Sequence, residues 1–300
     1  MKVWLNGSFV DSNETDVSLL SHSFSRGLSI FEVVDIVSSD KGPAFFGLKQ
    51  HVDRFYNSAR LIFMELDFPK EELIEAILAT AQAASIKSGI CKFFAYYPEE
   101  IMQMVPSSPK ATIAIFVSNL DELQLVREEL STPINVGISS IRKNHPESIP
   151  PHAKITGNYV NGFLATKEIK RKGYDDAILL DTMGFVAEAP TSNLFLIKSR
   201  KIITPSTRSI LQGITRLATI EVLREMNYIV EERDIRPQIL SICDEAFFTN
   251  SISRVKPIRT IEGRKIGTQC PGPVTGVLSN RMEELFSGKI ALSEKWLTLV

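Results

Sequence analysis

The sequence predicts an α+β (mixed α/β) fold in which hairpins of β-strands alternate with amphipathic helices. Near the start, Asn6-Gly7 stands between two short apolar runs, and this pair favours a two-residue type I′ hairpin turn. Later in the chain, hairpin-like pairs of strands are mixed with segments that have apolar residues at helical spacing. This mixture disfavours a doubly wound parallel sheet.

The chain has 300 residues, a length that fits one large domain or two of ordinary size. Residues 120–133 are polar and acidic and are interpreted as a linker. The predicted organisation is therefore a smaller α/β domain at residues 1–119 and a larger domain at residues 134–300, which carries Lys154.

In the first domain, the residue pattern predicts a sheet with two helices. The strands are expected at residues 30–37, 45–46, 91–97 and 111–118, and the helices at residues 48–64 and 69–88. In the second domain, strands are expected at residues 134–141, 177–181, 185–187, 193–197, 201–204, 228–232 and 245–249. The helices there are expected to end at Lys172 and to span residues 213–226, 237–242 and 273–286.

Composition and charge exclude several classes of partner. The chain is 44% hydrophobic and 23% charged, with a net charge of −1, so bulk electrostatics predict no nucleic-acid partner. No apolar run reaches the ~18–20 residues of a membrane span, and the start of the chain lacks a secretory core. The three cysteines are far apart and odd in number, which is typical of reduced thiols in a cytoplasmic protein. The four histidines show no metal-ligand spacing, so no metal is expected.

Lys154 lies on a short loop whose backbone the sequence predicts to be well defined. Pro150 and Pro151 precede it and prevent an early helix start, while Gly157 and Asn158 tolerate a tight turn. A partly desolvated lysine loses its proton more easily and forms a Schiff base with a carbonyl compound. On this segment alone, a solvated surface lysine is the more frequent interpretation.

Glu188 is the second candidate, because it ends an apolar strand, where a carboxylate is unexpected unless a cation meets it. One interpretation is a partner for a protonated pyridine nitrogen, which keeps a cofactor ring a good electron sink. The other is a strand-end glutamate that faces water.

Two further stretches are suited to anion binding. Gly213 precedes a predicted helix, whose first N–H groups and the Thr215 hydroxyl favour a phosphate. The alternative is that Gly213 only allows a turn and Thr215 caps the helix. Residues 248–253 follow a strand and are small and polar, which indicates either anion donors or an ordinary turn.

Taken together, these stretches resemble the class IV (fold-type IV) aminotransferases that use pyridoxal 5′-phosphate, the family of branched-chain and D-amino-acid aminotransferases. The ordered run from Glu188 to Arg216 resembles the family signature, except that Pro190 stands where a small residue is usual. The Lys154 loop is similar to the family's lysine loop, and His51-Val52-Asp53-Arg54-Phe55 with Ser58-Ala59 resembles its H-x-x-R-(x)n-S-A helix.

The resemblance implies a role for each of these residues. Lys154 would form a Schiff base with the cofactor aldehyde and shuttle a proton between the substrate α-carbon and the cofactor C4′. Glu188 would pair with the pyridine nitrogen, and Tyr159 would hydrogen-bond the ring 3′-oxygen. The residues implied in holding the phosphate and the rest of the cofactor are Arg54, Ile214, Thr215, Asn250 and Ser251.

The resemblance also implies a reaction and an assembly. The default is ping-pong transfer of an amino group from a branched-chain or related aliphatic L-amino acid to a 2-oxo acid such as 2-oxoglutarate. The cofactor would lie in the cleft between two domains, in a homodimer or higher homo-oligomer. Alternatives on the same scaffold are a D-amino-acid transaminase, an R-selective amine transaminase and an aminodeoxychorismate lyase. A catalytically silent paralogue that binds pyridoxal phosphate is the non-enzyme alternative, and the joint presence of Lys154, Glu188 and Arg54 disfavours it.

Substrate contacts are the part where this chain departs from the family. Arg26 stands where relatives usually carry an aromatic pocket residue, and it either meets a substrate carboxylate or faces water from a loop. Lys92 stands about where branched-chain enzymes have an arginine, and it is either a ligand or a snorkelling edge residue. The other residues expected to contact substrate are Phe31, Tyr96 and Ile252.

Overall fold

The structure, a computed structural model, describes residues 2–300 except for the side chains of residues 127 and 128. The chain divides into two compact units. Unit 1 comprises Met1–Leu125, His152–Gly157 and Phe286–Val300, and unit 2 comprises Val126–Pro151 and Asn158–Leu285.

Unit 1 contains one antiparallel sheet with helices. With elements numbered along the whole chain, its strands are β1 (Lys2–Leu5), β2 (Ser8–Asp11), β3 (Ser29–Ser39), β4 (Gly42–Phe46), β5 (Gly89–Tyr96), β6 (Thr112–Ser118) and β15 (Leu297–Leu299). The sheet order is β15-β4-β3-β5-β6-β1-β2. The helices are α1 (His22–Arg26), α2 (Leu48–Leu61), α3 (Lys70–Ala83) and α8 (Ser293–Trp296).

The local sequence explains the elements that place the site in unit 1. The predicted Asn6-Gly7 hairpin is confirmed: Leu5 pairs with Ser8, and both turn residues have positive φ, at 45° and 104°. Helix α2 starts after Gly47, whose left-handed backbone turns the chain out of β4. Its buried apolar face includes Val52 and packs on β3.

Unit 2 contains a mixed sheet. Its strands are β7 (Ile134–Arg142), β8 (Asp176–Leu180), β9 (Asn193–Lys198), β10 (Lys201–Pro205), β11 (Val230–Arg233), β12 (Glu245–Asn250), β13 (Arg254–Ile261) and β14 (Arg264–Lys265). The order is β11-β10-β9-β12-β13-β7-β8, and β14 pairs with β13. The helices are α4 (Arg127–Leu130), α5 (Tyr159–Arg171), α6 (Ile214–Glu225) and α7 (Pro273–Ser287).

The pairing within the two sheets confirms the predicted α+β class. Unit 1 pairs its strands only in antiparallel fashion among the described residues. In unit 2, the parallel pairs are β10 with β11, β13 with β7 and β7 with β8. The remaining pairs of unit 2 are antiparallel, so neither sheet is doubly wound.

Strand β13 was not predicted from the sequence, although it lies between β12 and β7 in the sheet. Pro257 lies inside this strand and removes a ladder donor, which normally indicates an edge strand or a loop. Charged residues interrupt it as well, at Arg254, Lys256 and Arg259. The local composition therefore gives no strand signal for β13, which is stabilised by pairing with strands distant in sequence.

The lysine loop groups with unit 1, whereas the sequence analysis places it in the later domain. The reason is backbone pairing: Phe31 N–H donates to the Lys154 carbonyl at 3.1 Å, and Ile30 forms an antiparallel bridge with Ile155. The chain end also returns to unit 1, because β15 pairs with β4. The predicted linker, residues 120–133, contains the division between Leu125 and Val126.

The described residues show neither a membrane-spanning helix nor a metal-ligand cluster. Within residues 2–300, no helix has both the length and the apolar character needed to cross a membrane. Among the side chains that the structure describes, no group of three or more His, Cys, Asp or Glu is arranged to hold a metal ion.

Candidate active site

The backbone of Lys154 is fixed on both sides by unit 1. Its N–H donates to Ser58 Oγ at 3.0 Å, and its carbonyl accepts from Phe31 N–H on β3. The ammonium nitrogen lies 4.7 Å from the centre of the Phe31 ring, in a cation–π contact. The side chain is half-buried, so Lys154 is a partly desolvated amine on an anchored loop.

Arg54 is held by a buried carboxylate from the neighbouring strand. Its Nε and Nη2 donate to the two oxygens of Glu32, each at 2.7 Å, in a bidentate pair. His51 Nδ1 lies 2.7 Å from Glu32 Oε2, and Ser58 Oγ donates to the Arg54 carbonyl at 2.8 Å. The H-x-x-R and S-A positions on α2 therefore form one network that reaches the Lys154 backbone.

The charges in this network shift two pKa values. Burial alone raises the pKa of Glu32, but Arg54 and His51 override it and lower that pKa to about 2. Burial lowers the pKa of His51, and the Glu32 carboxylate offsets this only in part. At neutral pH, Glu32 is thus an ionised carboxylate paired with Arg54, and His51 is a neutral donor to it.

The half-exposed face of β3 and β5 carries three of the residues expected to bind substrate. Lys92, Phe94 and Tyr96 alternate along β5, and Phe31 is paired with Phe94. Lys92 Nζ lies 5.3 Å from the centre of the Phe31 ring and 4.6 Å from that of Phe94. Burial, and secondarily the charge of Lys154, lowers the pKa of Lys92. Lys154, Lys92 and Phe31 therefore form one cluster.

Arg26 belongs to a different part of unit 1. It ends the short helix α1, is exposed, and donates from Nη2 to the Met102 carbonyl at 2.8 Å. The described contacts thus place it with the loop around Met102 and not with the cluster at Phe31.

In unit 2, residue Glu188 is buried, at 5% exposure, and its carboxylate accepts three hydrogen bonds. Lys143 Nζ donates to Oε1 at 2.8 Å, and the Leu211 N–H donates to the same oxygen at 3.2 Å. Asn193 Nδ2 donates to Oε2 at 2.9 Å. The carboxylate is therefore oriented from three sides, and it does not face water in the manner of an ordinary strand-end glutamate.

The start of α6 is packed tightly against Asn193. A Cβ at Gly213 would lie 2.0 Å from Asn193 Oδ1, so any larger residue at this position would have to displace the Asn193 amide. Asn193 Nδ2 also donates to the Leu211 carbonyl at 2.9 Å, which fixes the segment before the helix. Ile214 and Thr215 are buried in the first turn, where backbone N–H groups have no partner within the helix. This arrangement fits the predicted anion site.

The polar segment after β12 is a turn shaped by Asn250. Its Oδ1 accepts from the N–H groups of Ile252 and Ser253 at 2.8 and 2.7 Å, and its Nδ2 donates to Ser192 Oγ at 2.8 Å. Ser251 lies at the exposed side of this turn, half-buried. The Asn250 side chain thus shapes the turn that presents Ser251 and Ile252.

One buried hydroxyl beside this turn lacks a partner in the described structure. Thr249 is 1% exposed, and its Oγ1 makes no hydrogen bond. Thr249 is paired with Asn193 across β12 and β9, so both side chains lie on the face that carries the start of α6. An orphaned buried hydroxyl next to a helix start indicates a place where a polar ligand completes the hydrogen bonding.

Tyr159 begins α5, and two residues of its first turn contact other parts of unit 2. Asn161 Nδ2 donates to the Arg142 carbonyl at 2.6 Å, which ties α5 to the end of β7. A Cβ at Gly162 would lie 3.0 Å from Cβ of Pro190, so the helix packs closely on the residue that departs from the family signature. Gly162 therefore accommodates the bulk of Pro190.

The roles of three polar residues in these networks were not predicted from the sequence. They are Glu32, which pairs with Arg54, and Lys143 and Asn193, whose side chains donate to Glu188. Glu32 interrupts the apolar run of β3, a signal equal to that used for Glu188. Lys143 follows a strand in a polar loop, and no local feature indicates its contact 45 residues away.

The geometry thus provides an anchored lysine and a clamped arginine in unit 1. Unit 2 provides an oriented carboxylate, a glycine-led helix start and a polar turn. The sequence matches the family described as amino-transferase class IV over residues 29–261, which is most of the chain. The protein belongs to the class IV aminotransferases.

Within this family, the chain is similar to enzymes named branched-chain-amino-acid aminotransferase. It is 33% identical over 298 residues to that of Pseudomonas aeruginosa, covering 99% of this chain and 97% of the relative. It is 36% identical over 304 residues to a probable one of Aquifex aeolicus, with 99% and 96% covered. The crystal structure of the branched-chain aminotransferase of Thermoproteus uzoniensis with norvaline matches with a TM-score of 0.93, at 29% identity over 99% of this chain and 98% of that chain.

Proposed function

We propose that the protein is a pyridoxal 5′-phosphate-dependent aminotransferase acting on branched-chain or related aliphatic L-amino acids. The acceptor is a 2-oxo acid such as 2-oxoglutarate, and the two half-reactions follow a ping-pong order. The observation that carries this proposal is the full-length match to branched-chain aminotransferases, one of which was solved with N-(5′-phosphopyridoxyl)-L-glutamate at a TM-score of 0.92.

The residues of unit 2 fit this cofactor. The Glu188 carboxylate suits a protonated ring nitrogen, because Oε2 accepts only one described bond and has lone-pair capacity for another donor. The first N–H groups of α6, at Ile214 and Thr215, suit a phosphate dianion. Ser251 and the turn residue Asn250 adjoin the orphaned hydroxyl of Thr249. Tyr159 supplies a phenol that suits a hydrogen bond to the 3′-oxygen of the cofactor ring.

The residues of unit 1 supply the amine and a further cation. Lys154 is proposed to hold the cofactor aldehyde carbon, and Arg54 to contribute a guanidinium to the phosphate. The bidentate pair with Glu32 fixes the plane of this guanidinium before any ligand binds. Such preorganisation lowers the ordering cost of binding.

The bound cofactor supplies an electron sink for the substrate α-carbon. Lys154 would take the α-proton of the bound substrate as a general base and would return a proton in the second half-reaction. Its anchored backbone keeps the amine within a narrow range of positions. Phe31 beneath the amine excludes water from one side and disfavours full solvation of the charge.

Substrate contacts are proposed at Phe31, Lys92 and Tyr96 in unit 1, and at Ile252 in unit 2. The aromatic rings suit an aliphatic side chain, and the Lys92 ammonium suits the second carboxylate of 2-oxoglutarate. Arg26 is proposed to act only in the loop around Met102, because its guanidinium already binds that carbonyl.

A homodimer is proposed from an apolar surface of unit 1, here called the methionine patch. Its exposed side chains come from the segments around α1 and before β6: Leu19, Leu20, Phe24, Met102, Met104 and Val105. The two segments are joined by bonds from His22 and Arg26 to the carbonyls of Met104 and Met102. A contiguous apolar surface of this kind is typical of a protein interface, and a second copy of the chain is the proposed occupant.

A cytoplasmic location is proposed from the thiols. Cys91 and Cys243 are buried, Cys270 is half-buried, and all three are free cysteines. Free thiols of this kind are typical of a reducing compartment.

The function is tested with purified protein, pyridoxal 5′-phosphate and a panel of L- and D-amino acids with 2-oxoglutarate or pyruvate. We expect the fastest transfer with L-leucine, L-isoleucine or L-valine and 2-oxoglutarate. Preference for D-donors, or release of pyruvate from aminodeoxychorismate without any acceptor, would overturn the substrate assignment.

A further inference from the structure

Lys143 makes an ionic contact with Glu188 that the proposed function does not use. The two side chains are only 24% and 7% exposed, and Nζ lies 2.8 Å from Oε1. A partly buried pair is screened less by water and salt than one at the surface, so each charge acts strongly on its surroundings. A compensating cation therefore lies on the carboxylate that is proposed to meet the ring nitrogen.

The backbone brings these two residues together. Lys143 directly follows β7, and its N–H donates to the carbonyl of Leu180, the last residue of β8, at 2.9 Å. Leu179 N–H, in the same strand, donates to the Glu188 carbonyl at 2.9 Å. Both residues are thus fastened to the end of β8, so their meeting does not depend on the side-chain contact itself.

The three donors to Glu188 have different tasks. Leu211 N–H and Asn193 Nδ2 are neutral and bind one oxygen each, which is enough to orient the carboxylate. Lys143 shares Oε1 with Leu211 and adds a full positive charge. Its distinct contribution is therefore electrostatic.

We propose that Lys143 is a positioning residue that acts through Glu188: its charge limits how strongly this carboxylate favours a protonated ring nitrogen over a neutral ring. The proposal rests on the proposed function, since it concerns the cofactor contact assigned to Glu188. Without the lysine charge, Asn193 and Leu211 still orient the carboxylate, but its negative charge is uncompensated. Its preference for a cationic ring then increases.

The test compares two ligands of the full-length, cofactor-free protein: pyridoxal 5′-phosphate and 1-deazapyridoxal 5′-phosphate, which lacks the ring nitrogen. The readout is the ratio of the Kd of the deaza ligand to that of pyridoxal phosphate, measured by equilibrium titration. Lys143→Met raises this ratio on the order of tenfold, the size expected for one partly buried charge. Lys143→Arg keeps the wild-type ratio.

A matched control removes a lysine of unit 2 that pairs with a different carboxylate. Lys198 lies 2.9 Å from Asp244 in an exposed pair, and Lys198→Met leaves the ratio unchanged. Lys143→Gln keeps a donor without the charge and serves as a second neutral variant if the methionine variant folds poorly. It also raises the ratio.

Two results would overturn the proposal while the proposed function stands. One is a wild-type ratio in both neutral variants, and the other is an equal loss of affinity for both ligands, which a merely structural role produces. Failure of the wild-type protein to bind either ligand would instead contradict the proposed function, and this inference with it.

Discussion

Lys92 is the single residue expected to determine the preference for 2-oxoglutarate as the amino-group acceptor. Its ammonium is held over the rings of Phe31 and Phe94, on the face that carries the Lys154 amine. We expect Lys92→Met to raise the KM for 2-oxoglutarate about tenfold, the loss of roughly one charge-assisted hydrogen bond. The KM for a monocarboxylate acceptor such as 4-methyl-2-oxopentanoate changes little.

The pH dependence distinguishes lysine from arginine at this position. Because burial and Lys154 lower the pKa of Lys92, its charge disappears at a lower pH than that of an ordinary lysine. The preference for 2-oxoglutarate therefore declines at alkaline pH in the wild type and persists in Lys92→Arg. Equal KM changes for both acceptors would show that Lys92 only packs against the rings.

At the residue scale, the sequence indicates candidate site residues where the signal is local. Lys154 could be singled out because prolines on one side and a glycine on the other define a loop locally. Gly213 was recognisable because it directly precedes a helix, and Glu188 because a carboxylate follows an apolar run, although the strand predicted at residues 185–187 forms only an isolated bridge at Val186. Lys143 was not recognisable, because its partner is chosen by the parallel pairing of β7 and β8, which no local pattern encodes.

At the scale of elements, the contact between α2 and β3 predicts a loss of stability in acid. The pKa of Glu32 is lowered to about 2 in the folded protein, below the ~4.3 of an unfolded chain. Its contribution, up to about 3 kcal/mol, is present above the unfolded value and is lost as pH falls from ~4 toward 2. The lowered pKa of His51 reduces the free energy of unfolding at a higher pH than Glu32 does. Below about pH 6.5, His51 takes up a proton in the unfolded chain but not in the folded one.

Urea unfolding at a series of pH values checks this expectation. We expect the free energy of unfolding to fall between pH 7 and 5, and His51→Gln to reduce that fall, since glutamine donates to Glu32 without titrating. An equal fall in the wild type and the variant would remove His51 from the explanation.

The packing of α6 against Asn193 gives a second prediction for an element. Gly213→Ala would push Asn193 away from Glu188, because the new Cβ would lie 2.0 Å from its Oδ1. We expect a loss of about 1–3 kcal/mol in the free energy of unfolding, typical of overpacking, and weaker binding of pyridoxal 5′-phosphate. Thermal unfolding and cofactor titration measure the two effects.

Gly276→Ala in α7 is the matched control. A Cβ there meets no atom within 4 Å, so alanine stabilises the helix by up to about 1 kcal/mol. If both alanine variants were equally stable, the close contact at Gly213 would not matter.

Elements with strong periodicity were predictable, while those defined by distant pairing were not. The apolar spacing of α2 and α6 and the turn residues of the β1–β2 hairpin are local signals. Strand β13 carries Pro257 and three charged residues, yet it pairs with β12 and β7. The short β15 is likewise defined by its partner β4, from the far end of the chain.

At the scale of the whole molecule, the methionine patch predicts a dimer. The double variant Phe24→Glu and Met102→Glu places two charges on this patch. Burying these carboxylates in an interface costs desolvation free energy, so the variant favours monomers. Light scattering after size exclusion is expected to give a dimeric mass for the wild type and a monomeric mass for the variant.

Phe63→Glu is the control for the dimer, since Phe63 is 89% exposed and is not part of the methionine patch. It leaves the dimer intact. A dimeric mass for the doubly charged variant would place the interface elsewhere.

The central claim is that one amine of this protein, that of Lys154, holds the cofactor. The direct measurement is borohydride reduction of the protein loaded with pyridoxal 5′-phosphate, followed by proteolysis and mass spectrometry. We expect a single pyridoxyl group on the peptide that contains Lys154, and none in Lys154→Ala. A pyridoxyl group on another lysine at the same stoichiometry, or no modification of the wild-type protein at all, would contradict the account.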